Sequence, residues 1–584
     1  MGISKKQLVS AAGKLKNYTD TTLDGRLSKI GMNFTSEDGF GNLRWYNGHF
    51  QIFDTATESW VDTSVSPENV YVFNMLPQAM QNICCIYDSD IQRYKLKFKE
   101  PNDTVVDGQI ICAVDKVIIR RKLNSVPENE TDGELVVEIR RKNFGDYTNK
   151  WYIDDSLVPN LGDAYYYKAF PISTTGFANY SASNEVGPIV CKDYILYGLK
   201  IDQNESDPES MITYIEDNAS FTKAGMDYTN GKFNYGDWES AWFIKNLKPC
   251  MLKYDGMVDY ELDKNDYTKK LDGSDSDVAN TDYEGNAMIG VPKVYWKIVD
   301  NGDDTANIYF SDKKVDDDFH CWSHVDNNGN EIDYCYMPIY NGSVVDTRIR
   351  SLSGRTPVSG YTVSGEINYA KANNVGDDII WYTEVFCDRM LINLLLILIA
   401  KSTATQTIFG AGNNNSSGVT ATGTLDTRGL FYGKTDNTAV KVFGMEHWWG
   451  NQYRRIAGWI YDNGVQKIKM TYGQSDGSTV DGYNLDGSGY NEIESSAVSG
   501  TFGGYISKMK YTEFGPIPLE TNGSSTTYYS DNIYASSGSW YAIVGGGSGY
   551  GAGCGAFGGA LNYTVDRTSW DFNASLSCKP LASI

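Results

Sequence analysis

Histidine is scarce in this sequence: His49, His320, His324 and His447 are the only four in 584 residues. That leaves little material for acid–base chemistry or imidazole-based metal sites. Ten cysteines, Cys84, Cys85, Cys112, Cys191, Cys250, Cys321, Cys335, Cys387, Cys554 and Cys578, are scattered without a CxxC pair. A zinc framework is therefore not expected, and the thiols read as reduced, small apolar core residues. Positive charge is also short, since 51 Lys and Arg stand against 74 Asp and Glu for a net −23. Such a balance argues against nucleic acid or an anionic membrane as partner, because phosphate binding needs clustered cations. The opening MGISKKQLVSAAGKLK has no apolar signal segment, and Lys6 stands where a myristoylation signal needs Ser or Thr. The expectation is a chain made in a cytoplasm and not exported by a signal of its own. The most apolar run, Met390 to Ala400, has roughly half of the about 20 residues that cross a bilayer, so a buried helix is predicted there.

Aromatics and glycine are plentiful: 42 Tyr, 13 Trp and 58 Gly against 15 Pro. Together they imply short strands, tight turns and exposed ring surfaces. Length predicts about three or four domains. Near residues 5–30, Leu8, Ala12, Leu15, Leu23, Leu27 and Ile30 recur at helical spacing, giving an amphipathic helix whose apolar side needs a partner. Asn47-Gly48 between aromatic runs predicts a hairpin. Residues 1–78 are thus read as a module for attachment and oligomerisation, a trimer being expected. From 79 to 187, segments such as QRYKLKFK, DKVIIRRK, GELVVEIRRK and AYYYKAFPIS alternate outward charge with inward apolar groups, as in a β-sandwich. ENETDGELV resembles the C–C′ connection of fibronectin type III domains, and WYIDDSLVPNLGDAYYYKAFPIS resembles their E–F corner. That resemblance implies a spacer in which a Tyr hydroxyl closes on upstream backbone.

Residues 188–584 carry many acidic turns. Asp326, Asn328 and Asn330 have the look of a calcium loop, but Glu331 stands where that loop needs Gly. A plain turn is expected, with no metal and no cofactor. IIWYTEVFCDRMLINLLLILIAKSTATQ is predicted helical. Gly444 to Ile460, GMEHWWGNQYRRIAGWI, concentrates three Trp and two Arg. With VF before it, this stretch resembles the Gly-Asn element of C-type-lectin-like domains, as found in formylglycine-generating enzymes and in the variable proteins of diversity-generating retroelements. The order helix, GNQYRR, GGGSGYGAGCGAF, LSCKPL follows that fold, with a lectin core over about 340–584. YGLKIDQNESDPE and RSLSGRTP add a likeness to tailed-bacteriophage tail or fibre proteins. The fold class expected is multidomain and mainly β with some α: helix plus hairpin, fibronectin-like sandwich, C-type-lectin-like α+β domain.

Trp448, Trp449, Gly450 and Asn451 read as framework, with Arg454 and Arg455 pairing with carboxylates or stacking on the indoles. The His447–Glu446 pair is the only tempting acid–base dyad, and Cys554 lacks the nearby second cysteine of formylglycine-generating enzymes. No enzyme is therefore expected. What the resemblance implies is a virion protein whose partners are other virion proteins and a host-cell surface receptor, saccharide or protein. The receptor surface is placed between Ser548 and Asp571, on Ser548, Tyr550, Asn562, Tyr563, Asp566, Thr568, Trp570 and Asp571, a mixture of rings and short polar groups. A head-fibre or capsid-decoration protein is the alternative, and a glycan-degrading tail enzyme a further one.

Overall fold

A computed structural model describes residues 76–582 apart from 90, 107–108, 149, 416–417, 463, 470–484, 486–487 and 494–501, and before them the backbone of three strands. The helix expected near residues 5–30 lies outside the described residues. Those first strands, Leu43–Tyr46, His49–Asp54 and Ser59–Asp62, form an antiparallel sheet in which Tyr46 pairs with His49, the register that a two-residue Asn-Gly turn sets. The chain is mainly β, with many separate sheets, and divides into two compact units, Met1–Asp193 and Tyr194–Ile584.

In the first unit, a three-stranded sheet runs Trp151–Ile153, Arg93–Lys99, Gln81–Asp88, and a four-stranded one runs Glu185–Val190, Ala164–Ser173, Val114–Leu123, Glu134–Arg140. Alternation decides which side chains enter the core. Along Arg93–Lys99, Tyr94, Leu96 and Phe98 are fully buried while the four basic residues between them are not. They share one cluster with Val117, Ile119, Tyr167 and Ala169 from the four-stranded sheet. ENETDGELV does lead from Val114–Leu123 to Glu134–Arg140. The Tyr167 hydroxyl donates to the Asp154 carboxylate (3.0 Å), which also holds buried Arg121 (2.5 Å). In the same stretch the Tyr152 hydroxyl donates to the upstream backbone at Val136 O (3.4 Å), the kind of closure that the fibronectin likeness implies, while Tyr167 is tied to a side chain. Val190 pairs with Ala164, so this unit runs past the boundary placed at residue 187.

The second unit contains a seven-stranded sheet in the order Asp266–Lys270, Val258–Asp263, Lys248–Lys253, Gly285–Pro292, Tyr334–Pro338, Leu576–Cys578, Trp381–Thr383. A second large sheet runs Asn491–Ile493, Val465–Ile468, Tyr453–Asp462, Ser539–Val544, Gly559–Tyr563, Asn532–Ala535, Phe502–Tyr505, with Phe572–Asn573 parallel to the start of Tyr453–Asp462. The helix Phe386–Ala400 is buried along its whole length, and its leucines and isoleucines join one cluster with residues of this second sheet. A helix apolar over its last seven residues, with its few polar groups also buried, fits such a place. Its last carbonyls are bonded: Ile397 O accepts from Lys401 N, Leu398 O from the Tyr214 hydroxyl (2.6 Å) and Ile399 O from Ala224 N (2.7 Å). Helix was predicted from further upstream. Instead Trp381–Thr383 is a strand, because its backbone pairs with Leu576–Cys578.

Candidate functional site

The stretch from Gly444 to Ile460 is buried along its whole length in the second unit. Gly444, His447, Gly450 and Asn451 all have left-handed backbone (φ +81°, +49°, +73° and +63°), which folds the segment tightly before it enters the strand at Tyr453. At Gly450 a Cβ would lie 2.8 Å from the Asn413 nitrogen, so only glycine fits. Asn451 has a residue type that tolerates this backbone better than most. Its Oδ1 accepts from Thr420 N (2.7 Å) and Asn413 Nδ2 (2.8 Å). Trp448 and Trp449 are buried and donate to Asn393 Oδ1 (2.9 Å) and Gly410 O (3.0 Å).

The two arginines take both roles expected of them. The guanidinium groups of Arg389 (4.1 Å) and Arg454 (4.9 Å) both lie over the Trp448 ring. Glu384 bridges those same arginines at 3.7 and 3.5 Å. Burial pulls Arg389 down to about 9, against the opposing pull of Glu384. Arg455 is ion-paired with Glu366, whose carboxyl burial pushes up to about 7 against the effect of that arginine. All five charged groups are at most 2% exposed. They are scaffold.

What this scaffold holds in place is the loop between Gly559–Tyr563 and Phe572–Asn573. Its backbone carbonyls are pinned one after another: Val565 O accepts from Val363 N (3.0 Å), Arg567 O from Arg455 Nη2 (2.7 Å), and Ser569 O from Gly360 N (3.1 Å). Gln452 Nε2 donates to Trp570 O (2.8 Å) and Tyr453 N to Asp571 O (2.7 Å). With the backbone tied from behind, side chains project. Trp570 is 57% exposed, and Asp566 and Thr568 are exposed beside it in sequence. Tyr550, 48% exposed, meets Tyr453 edge-on at 4.9 Å; Tyr453 contacts Phe572 (6.4 Å), and Phe572 contacts Tyr563 (4.7 Å). One row of rings thus joins Tyr550 to Tyr563 across residues distant in sequence. Asn562 is half-buried, and its Oδ1 has no hydrogen-bond partner among the described residues.

Two residues assigned to the receptor surface belong to the frame instead. Ser548 is 4% exposed, its amide donating to Asn451 O (3.0 Å) and its hydroxyl accepting from Gly418 N (3.1 Å). Asp571 is 7% exposed and accepts from the Ser569 hydroxyl. Their short polar side chains look the same in sequence whether they serve a ligand or a turn. Tyr453, which with Phe572 links exposed Tyr550 to half-buried Tyr563, was missed because it sits within the framework motif.

The groups with catalytic promise are sealed. Cys554 is fully buried, its thiol pushed up to about 12 by burial and then by Asp531, and Cys578 is in the other large sheet. The Glu446 carboxylate accepts from Gly423 N (2.8 Å) and Leu425 N (2.7 Å) rather than from His447. Burial, and next the charge of Arg454, pulls His447 down to about 4. Asp326 accepts from the amides of Asn328, Asn330 and Ala582, each at 2.9 Å, as a turn residue does. Among the described residues no group of three His, Cys, Asp or Glu is placed to hold a metal, and no helix is long and apolar enough to cross a membrane. Neither a protein-family model nor a curated protein matches the sequence.

Proposed function

We propose that this chain is a non-enzymatic virion protein of a tailed bacteriophage that binds a host-cell surface receptor through its C-terminal part. The observation that carries the reading is the pinned loop that presents exposed Trp570, together with exposed Tyr550, which packed rings join to half-buried Tyr563. Exposed rings on a rigid support supply contact area at small entropic cost, the property a recognition surface needs. In this reading the second unit ends in a C-type-lectin-like domain, supported by the order of helix, framework strand and closing strand. The first unit is a fibronectin type III-like spacer, supported by its three- and four-stranded sheets and their strand order. The segment holding Leu8, Leu15, Leu23 and Leu27 joins copies into a trimer and attaches them to other virion proteins. Repeated copies then turn weak contacts into avidity.

The direct test is adhesion of the fluorescently labelled full chain to a panel of bacterial strains. Retention on a subset of strains, lost in Trp570→Ala and Tyr550→Ala, supports the reading. Retention on no strain, or equal retention of parent and variants, overturns it.

A further inference from the structure

A second recessed surface lies in the same unit, beside the turn Gly551–Gly553 that follows Tyr550. It is a cleft of about 430 Å³, within the size range of small-ligand sites. Its lining comes from five separate stretches of chain, around residues 228, 406–414, 435–437, 525–530 and 552. None of the described lining residues carries a formal charge. Amides come from Gln406, Asn414 and Asn437, hydroxyls from Thr435, Ser525 and Ser530, and one aromatic ring from Tyr228.

Asn414 is 2% exposed, and its amide orientation is fixed because Nδ2 donates to Gly551 O (2.7 Å) and Ala411 O (2.9 Å). Its Oδ1 is left without a partner among the described residues, as is the hydroxyl of Ser530, 4% exposed. Buried polar atoms are ordinarily satisfied, so two spare ones in residues of one cleft wall mark that wall as polar and not as an apolar packing gap. Tyr228 is held by a bond from its hydroxyl to Thr407 O (3.0 Å), which fixes the ring as a wall.

We propose that this cleft binds a neutral saccharide unit. Several adjacent hydroxyls on a small ring, each both donor and acceptor, match amides and hydroxyls that offer both functions, and a sugar's C–H face matches the tyrosine ring. An anionic sugar is disfavoured, since the described lining offers no cation and the chain carries a net −23. The cleft is lined by none of the receptor-loop residues, and the inference does not rest on the receptor reading.

The experiment is saturation-transfer NMR on the full chain with the methyl glycosides of glucose, galactose, mannose and N-acetylglucosamine, and with N-acetylneuraminic acid as the charged comparison. Transfer to at least one neutral glycoside is expected, with none to the acid. Asn437→Gly keeps a residue suited to the left-handed backbone there (φ +61°) and removes the amide; it should weaken binding at least tenfold. Ser525→Trp, at an exposed position, should block the cleft and abolish transfer. Trp570→Ala should leave the signal unchanged. The proposal is overturned by no transfer to any neutral glycoside, by parental affinity in Asn437→Gly, or by loss of the signal in Trp570→Ala. If Ser525→Trp does not fold, Asn437→Gly decides.

Discussion

At the scale of single residues, exposure separates two kinds of aromatic position that sequence alone presents as equivalent. Trp570 makes its anchoring bond through its backbone carbonyl, so Trp570→Ala removes a ring and leaves that bond in place. The variant should melt with the parent while losing on the order of 2 kcal/mol of adhesion, the size of a central aromatic anchor. Tyr563→Ala also removes packing against Phe572, so it should weaken adhesion and lower the melting temperature together. Strain adhesion and calorimetry on both variants check this contrast; equal thermal losses would refute it. His447 makes a different prediction. Folded, its imidazole is held neutral to about 4, whereas an unfolded chain's histidine takes up its proton near pH 6.5. The folded pKa is the lower one, so the stability that neutral His447 contributes is fully present above 6.5 and is lost as pH falls towards 4. Denaturant titrations should show the parent losing about 2 kcal/mol more than His447→Asn between pH 7 and pH 5. Parallel losses in the two proteins would remove histidine from the explanation.

At the scale of elements, the buried charges tie the helix Phe386–Ala400 to the strand Tyr453–Asp462. Arg389 is on the helix, Arg454 on the strand, and Glu384 just before the helix, where its backbone also bonds to Ser575 O and Ala457 N. Glu384→Gln keeps the shape and leaves two guanidinium groups sealed without their shared anion. A loss of about 3–5 kcal/mol is expected, measured as a lowered denaturant midpoint with an unchanged slope. Much of this element was legible in sequence. The Met390–Ala400 run is a buried helix, and WWGN is core. The carboxylates that Arg454 and Arg455 find were not legible. Glu384 and Glu366 lie 70 or more residues away in sequence, and nothing local distinguishes them from the other acidic residues. For the same reason Ser548 and Asp571 were assigned to the surface: the framework partners that bury them arrive from other stretches of chain.

At the scale of the whole molecule, each unit has a core of its own, so residues 194–584 expressed alone should fold and adhere to cells as the full chain does. Circular dichroism melting and strain adhesion test this, and an insoluble or inert fragment would count against it. The full chain should be trimeric by light scattering, whereas the fragment, lacking Leu8 to Leu27, should be monomeric. The order of strands has a further consequence for how the protein is made. Leu576–Cys578 lies between Tyr334–Pro338 and Trp381–Thr383, both made some two hundred residues earlier. While the ribosome is still translating, those two strands face an open slot that nothing upstream in the order fills. The first unit has all its strands by residue 190 and is free to fold during synthesis. The second is held back until residue 578 has emerged. Every nascent chain therefore passes through a stage with the first unit complete and the second unclosed, and a ribosome that stalls late leaves a chain whose unsatisfied sheet edge is exposed to the chaperones and proteases around it.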